Sequence, residues 1–267
     1  MPVRHLIYLC ILMFAAIGAA HAEDDAWMDI KAGVFKGRSI AEDNLFALYA
    51  PAQAEDAAIV PIAIHIPTQV ANVARSLTLV IDRNPMPVAA TFRFGEGFPA
   101  SPEVGERKIL TRVRVDNFSK VRAVLETPDG KLHMAEKFVM GAGGCSAPAS
   151  KDANQALVNL GKMQVKSIAD TAHGARWREA VVMIRHPNFT GMQMDLETRG
   201  YTPARYVNAI DVTRGGELLL RVEGGISISE DPNLRFNYDG ADGDALEVRA
   251  TDTEGAVFLG KSPPSGS

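Results

Sequence analysis

From residue 59 to residue 259 the apolar side chains recur mostly at every second position, in short runs separated by turn-forming residues. Successive side chains of a β-strand point to opposite faces, so such runs bury one face and leave the other wet. Leu77, Leu79 and Ile81 alternate with Thr78 and Val80, and Asp82-Arg83-Asn84-Pro85 then makes a turn. Val113 and Val115 alternate with Arg112 and Arg114, which predicts a strand with one face in water. Val121, Ala123 and Leu125 lead through Thr127-Pro128-Asp129-Gly130 to a returning run, Leu132 to Met140, and so predict a hairpin. Ile59 to Ile66 is an apolar strand whose Pro61 marks an edge or a bulge.

The same period fills the second half. Ala180 to Ile184 opens it, and Tyr206 to Thr213 pairs through Arg214-Gly215-Gly216 with Glu217 to Val222. Ile226 to Ser229, Leu234 to Tyr238, Leu246 to Ala250 and Ala256 to Leu259 are the remaining expected strands. Only two stretches depart from period two. Trp27, Ile30 and Val34 fall at helical spacing before Gly37, and Ala156, Leu157, Leu160 and Met163 form an apolar stripe after a capping Ser150 or Asp152. Ser167 to Arg178 reads as polar linker.

The pattern predicts an all-β protein of two immunoglobulin-like antiparallel β-sandwich domains. The first covers residues 23–140 and the second residues 179–262; between them lie a glycine and cysteine arm, 141–149, and a helical linker, 150–178, and a disordered tail, 263–267, closes the chain.

The N-terminus predicts export. Arg4, the apolar run Leu6 to Ala20 and the small-x-small site Ala20-His21-Ala22 have the order of a Sec-type signal peptide, residues 1–22. The run is too short for a transmembrane helix, and no later stretch is apolar enough to span a bilayer. Cys10 follows Leu9, where a lipid-anchored cysteine needs a small residue, and it leaves with the leader. A periplasmic chain with the single cysteine Cys145 results, and it can form no internal disulfide in an oxidising compartment.

Cys145 sits in Met140-Gly141-Ala142-Gly143-Gly144-Cys145-Ser146-Ala147. Glycine opens dihedrals closed to other residues, so Gly141, Gly143 and Gly144 predict a slim, flexible arm that presents an accessible thiol. No cationic residue adjoins it, and any activation has to come from the fold or from a partner.

Other chemistry finds little support. The 28 Lys and Arg stand against 32 Asp and Glu, net −4, and loss of Arg4 makes it −5, with no basic stripe for nucleic acid or an anionic membrane. His65, His133 and His173 lack metal-ligand spacing, and His186, in Arg185-His186-Pro187, reads as a loop histidine bonded to backbone. Asp239, Asp242 and Asp244 lack the glycine and glutamate positions of a calcium loop. Adjacent Glu230 and Asp231 point apart, and there is no nucleophile elbow, phosphate loop or Cys-x-x-Cys. No metal, no cofactor and no catalytic residue is expected.

Two sets of motifs resemble a known pair of proteins. Asp82-Arg83-Asn84-Pro85-Met86-Pro87-Val88-Ala89-Ala90 and the strand pair ending in Gly143-Gly144-Cys145 resemble SoxY, the carrier subunit of the bacterial thiosulfate-oxidising system. Arg185-His186-Pro187-Asn188-Phe189-Thr190-Gly191, Tyr201-Thr202-Pro203-Ala204-Arg205-Tyr206 and Gly224-Gly225-Ile226-Ser227-Ile228-Ser229-Glu230-Asp231-Pro232 resemble its partner SoxZ. The resemblance implies that Cys145 bears a sulfur intermediate covalently, with Gly143 and Gly144 as its approach, while separate periplasmic redox or sulfur-processing enzymes do the chemistry. The chain departs from the family in its arm, which ends the SoxY chain but here continues through Ser146-Ala147-Pro148 into another domain. Fused chains of this kind are similar to a subgroup associated with quinoprotein (PQQ-dependent) dehydrogenases and c-type cytochromes. The alternative expectation is a non-covalent adaptor for such a dehydrogenase.

Overall fold

The computed structural model describes residues 26–98, 106–148, 157–169, 177–195, 198–240 and 245–263. It divides into two compact units, residues 1–39 and 40–267. In the first, a helix (α1) spans 26–35, with the rings of Trp27 and Phe35 6.1 Å apart on its flank. Lys36 and Gly37 turn left-handed, at φ 53° and 66°, and Gly37 N–H reaches back to the Lys31 carbonyl at 3.1 Å, closing the helix where the sequence predicts its end.

The second unit is a two-sheet β-structure. Its strands are β1 (Ile40–Glu42), β2 (Ala47–Tyr49), β3 (Val60–Ile66), β4 (Ser76–Ile81), β5 (Val88–Phe94), β6 (Arg107–Val113), β7 (Ser119–Glu126) and β8 (Leu132–Val139) in the first half. A single short helix, α2 (Thr68–Ala71), lies between β3 and β4. The second half supplies β9 (Met163–Ala169), β10 (Trp177–Ile184), β11 (Val207–Arg214), β12 (Glu217–Gly224), β13 (Asn233–Asp239), β14 (Leu246–Asp252) and β15 (Val257–Lys261).

Both sheets run through both halves. One has the order β1-β8-β7-β4-β5-β12-β11-β14-β15, the other β2-β3-β6-β13-β10-β9. The halves meet where β5 pairs antiparallel with β12, from Ala90 opposite Gly224 to Phe94 opposite Leu220, and where Leu110 and Ile109 of β6 face Arg235 and Phe236 of β13. Among the described strands only β1, beside β8, pairs parallel, and Gln53 and Met140 add an isolated parallel bridge. One apolar core accordingly includes Ile62, Ile64, Leu77, Leu79 and Phe92 together with Val182, Leu220, Phe236 and Val248. Burying each such side chain contributes about 1.5–3 kcal/mol. Arg107 crosses the seam too: its guanidinium stands 4.8 Å from the Phe98 ring and 4.4 Å from the Trp177 ring, and burial pushes it down to about 9.

The hairpin β7–β8 and the hairpin β11–β12 close through the turns the sequence marks. Pro61 lies in β3 opposite Arg112, beyond the reach of β2, which pairs only with Ala63–His65, so its missing N–H falls on an edge. Three expectations change. Met163–Ala169, placed in the helical linker, is strand β9, which pairs along its length with β10. Residues 150–156 and 170–176 of that linker lie outside the described residues, as do the signal peptide, residues 1–22, the tail beyond 263 and Asp242 and Asp244. Ile226 to Ser229 is no strand; only Ile228 bridges, to Val113. Arg114, assigned to a face in water, is 1% exposed, because the chain folds the Cys145 segment over it.

Candidate functional site

The segment after β8 is docked, and Cys145 is fully buried rather than presented on an exposed arm. Backbone hydrogen bonds hold it against the continuation of β6. Gly143 N–H donates to the Asp116 carbonyl at 2.8 Å and Gly144 N–H to the Val115 carbonyl at 3.1 Å. Ser146 and Ala147 N–H both return to the Gly143 carbonyl, at 3.2 and 2.9 Å, making one tight turn around Cys145. The glycines serve close approach more than mobility. A Cβ on Gly144 would lie 2.1 Å from the Ala57 carbonyl oxygen and 2.7 Å from that of Val115, and Gly143 needs its φ of 74°. Gly141 is buried, packed on Val115 and Ala54.

Side chains complete the seat. The Asp116 carboxylate accepts the Cys145 N–H at 3.0 Å, and Arg114 donates through Nη1 to the Gly144 carbonyl at 3.1 Å. From the second half, the Thr190 hydroxyl donates to the Cys145 carbonyl at 2.6 Å and Gln193 Nε2 to the Ala147 carbonyl at 3.2 Å. Gln193 Oε1 in turn accepts the Thr190 N–H at 3.0 Å, so the two holders brace each other. Arg114 Nε and Nη2 are buried with no hydrogen-bond partner among the described residues.

The electrostatics keep the thiol protonated. Burial, aided by the Asp116 carboxylate and opposed by Arg114, pushes Cys145 up to about 12. Burial also lowers Arg114, against the pull of Glu230, Cys145 and Asp56. A thiol so placed is a poor nucleophile, since the thiolate is the reacting form.

The motifs singled out in the sequence build this corner. Asn84, buried in the turn after β4, donates through Nδ2 to the Arg114 carbonyl at 2.7 Å and to Ser227 Oγ at 2.9 Å, and its Oδ1 accepts the Asp116 N–H at 2.9 Å. Ser227 Oγ in turn donates to the Met86 carbonyl at 2.9 Å. Asn188, left-handed at φ 44°, donates to the Ser229 carbonyl at 3.1 Å and accepts the Val207 N–H at 3.1 Å, which fixes the loop that carries Thr190. His186 is buried, and its Nδ1 accepts the Asn188 N–H at 3.0 Å, a bond to backbone as the loop reading expects. Its Nε2 lies 3.5 Å from Asp252, which also binds Arg205 at 2.8 Å. Among the described residues no cluster of His, Cys, Asp and Glu could hold a metal.

Sequence reasoning missed Arg114, Asp116, Thr190 and Gln193 as neighbours of Cys145. Thr190 and Asn84 stood inside the quoted motifs, but nothing local marks Asp116 or Gln193.

The comparisons agree with the layout. The family model "Sulfur oxidation protein SoxY" matches residues 31–145, ending on Cys145, and "Sulphur oxidation protein SoxZ" matches residues 165–262. The chain is a SoxY–SoxZ fusion. In this fusion the SoxY half supplies the thiol, Asn84, Arg114 and Asp116, and the SoxZ half supplies Thr190, Gln193 and Ser227. No curated protein matches it. Among solved structures it is similar to the sulfur carrier protein SoxY from Chlorobium limicola f thiosulfatophilum, at 23% identity and a TM-score of 0.34, over 44% of this chain and 93% of that one. No described helix is long and apolar enough to cross a membrane.

Proposed function

We propose that this SoxY–SoxZ fusion is a periplasmic sulfur carrier that holds a small sulfur-containing intermediate covalently on Cys145 and presents it to partner enzymes. Those partners are sulfur-processing or redox enzymes, in a pathway that includes a quinoprotein dehydrogenase and a c-type cytochrome. The observation that carries the reading is the position of Cys145. It ends the SoxY match and lies in a seat to which the signature residues of both halves contribute. Joining a thiol to a sulfur nucleophile forms one S–S bond and releases protons and two electrons, which the partner's cytochrome takes. The chain itself supplies attachment, storage and recognition, and the buried form is its resting state. Loading requires the segment 141–147 to leave the seat.

Burial of the thiol also favours a second reading, a non-covalent adaptor for the dehydrogenase, which would use the sheet faces and leave Cys145 structural. Intact mass of the protein taken from its native periplasm, before and after reductant, separates the two. The carrier predicts a reductant-labile adduct on the wild type that is absent from Cys145→Ser. An unmodified thiol while the partner pathway runs, with function kept in Cys145→Ser, would leave the adaptor.

A further inference from the structure

We infer that Thr190 and Gln193 are the positioning residues that set how often the Cys145 thiol is exposed, so that the SoxZ half governs the reactivity of a cysteine belonging to the SoxY half. This rests on the carrier reading for its purpose, but not for its geometry. The hydrogen bonds that fasten 143–147 divide into two groups. Gly143, Gly144 and Cys145 donate to the chain at Val115 and Asp116, within their own half. The carbonyls of Cys145 and Ala147 are taken only by Thr190 and Gln193, from the other half, among the described residues. Ser146, between those two carbonyls, is exposed, so the turn reaches solvent there while the two holders grip it on either side.

The holders are themselves prepared for the task. Thr190 is 5% and Gln193 2% exposed, far below what polar side chains on a loop usually show. Each side chain has a second bond that orients it: Thr190 Oγ1 accepts the Met192 N–H at 3.1 Å, and Gln193 Oε1 the Thr190 N–H. With the hydroxyl oxygen engaged as acceptor, its proton has the Cys145 carbonyl as its target. The loop is anchored beneath by Asn188 on the carbonyls of Ile228 and Ser229. The charged groups facing the thiol are Asp116, from the chain after β6, and Arg114 from the same segment, with Glu230 and Asp56 acting on Arg114. None of them belongs to the holder loop, so releasing the holders frees the segment without altering the charges of the seat.

The test is the rate at which maleimide labels Cys145 in the full mature chain, followed across pH. In the wild type, labelling is slow because it runs through the open state, and its rate keeps rising with pH above the range of an ordinary thiol, since ionisation of the released thiol itself favours release. Thr190→Val removes the donor at similar size and is expected to label roughly fivefold faster, the factor that one ordinary hydrogen bond is worth. The ratio of the two rates is the same at every pH up to about 8.5, because only the open fraction changes and the charges of the seat do not. Thr190→Ser restores the wild-type rate, and Gln193→Leu accelerates labelling as Thr190→Val does. Val182→Ala, which loosens the shared core away from the seat, lowers the melting temperature without this acceleration. Wild-type rates in Thr190→Val and Gln193→Leu, or a Thr190→Ser protein as fast as Thr190→Val, would overturn the inference. So would acceleration in Val182→Ala matching theirs, since global loosening would then explain it. The native-mass experiment is independent: no adduct in the periplasm with gated labelling intact removes the carrier reading and leaves the gate.

Discussion

Thr190, in the loop after β10, donates its hydroxyl to the carbonyl of Cys145 across 2.6 Å, joining the two halves of the chain at its buried thiol residue. The bond is short and buried, and it links positions 45 residues apart in sequence. A fused chain that places SoxY and SoxZ in one molecule keeps this contact available at all times. Docking and release become intramolecular steps.

Gly144 is where docking is easiest to prevent. A Cβ there meets two backbone carbonyls, those of Ala57 and Val115, and neither can swing aside as the end of a side chain would. Gly144→Ala is expected to expel the segment, so that Cys145 labels at nearly the rate of a free thiol. The shared core does not include residues 141–147, and the melting temperature should fall only slightly. Slow, wild-type labelling in Gly144→Ala would show that the seat has room the structure does not have.

Asp116 sets the pH behaviour of the seat. The docked thiol titrates near 12, above the roughly 8.5 of an exposed one, so the docked form retains its proton where the released form loses it. Docking is therefore at full strength below about 8.5 and weakens as pH rises toward the docked value, by up to tenfold per unit for this one proton. Asp116→Asn keeps an oxygen to accept the Cys145 N–H but deletes the charge. The docked thiol should titrate lower than in the wild type yet still above an ordinary thiol, because burial is the larger cause. Thiolate absorbance followed from neutral to alkaline pH reads both values. An unchanged titration in Asp116→Asn would remove the carboxylate from the account.

Asn84 shows what the sequence made legible and what it did not. The Asp82-Arg83-Asn84-Pro85 turn and the strands on either side of it could be read from period and turn chemistry, because those signals act between near neighbours. The partners of Asn84 are Arg114, Asp116 and Ser227, the last 143 residues away, and no local signal specifies them. The glycines before Cys145 were visible as well. Their physical use, close backbone approach instead of freedom, depends on Ala57 and Val115 lying beneath them. Likewise β9 was hidden, because its first residue, Met163, closed a helical stripe and Ser167 to Ala169 read as polar linker, while the pairing with β10 that makes it a strand leaves no local mark.

The same residue gives a stability prediction. Asn84→Ala leaves the buried Arg114 carbonyl and the Asp116 N–H without their partners, at about 1–3 kcal/mol for each such group. A loss on the order of 3 kcal/mol lowers the melting temperature by roughly 10 °C in a chain of this size. It should also speed labelling of Cys145, since Arg114 and Asp116 both lose their support. A thermal melt within a degree or so of wild type would contradict this account of the Asn84 bonds.

The shared sheets make a last prediction about the halves themselves. β5 and β6 each end one half's share of a sheet and are completed by β12 and β13 of the other. Separated, the first half would expose a pairing edge at Ala90–Phe94 and the second an edge at Leu220–Gly224, with Phe92 and Phe236 losing neighbours in the common core. Unpaired edges beside apolar surface promote aggregation. Residues 23–148 and 157–263 produced as separate chains should therefore aggregate singly and form a soluble one-to-one complex when produced together, with Arg93 and Glu223 reforming their 3.0 Å pair across β5–β12. Size-exclusion chromatography of each alone and of the pair decides it. Two monodisperse, folded halves would mean that each closes its own core, and the common sheets would then be an added contact and not the basis of the fold.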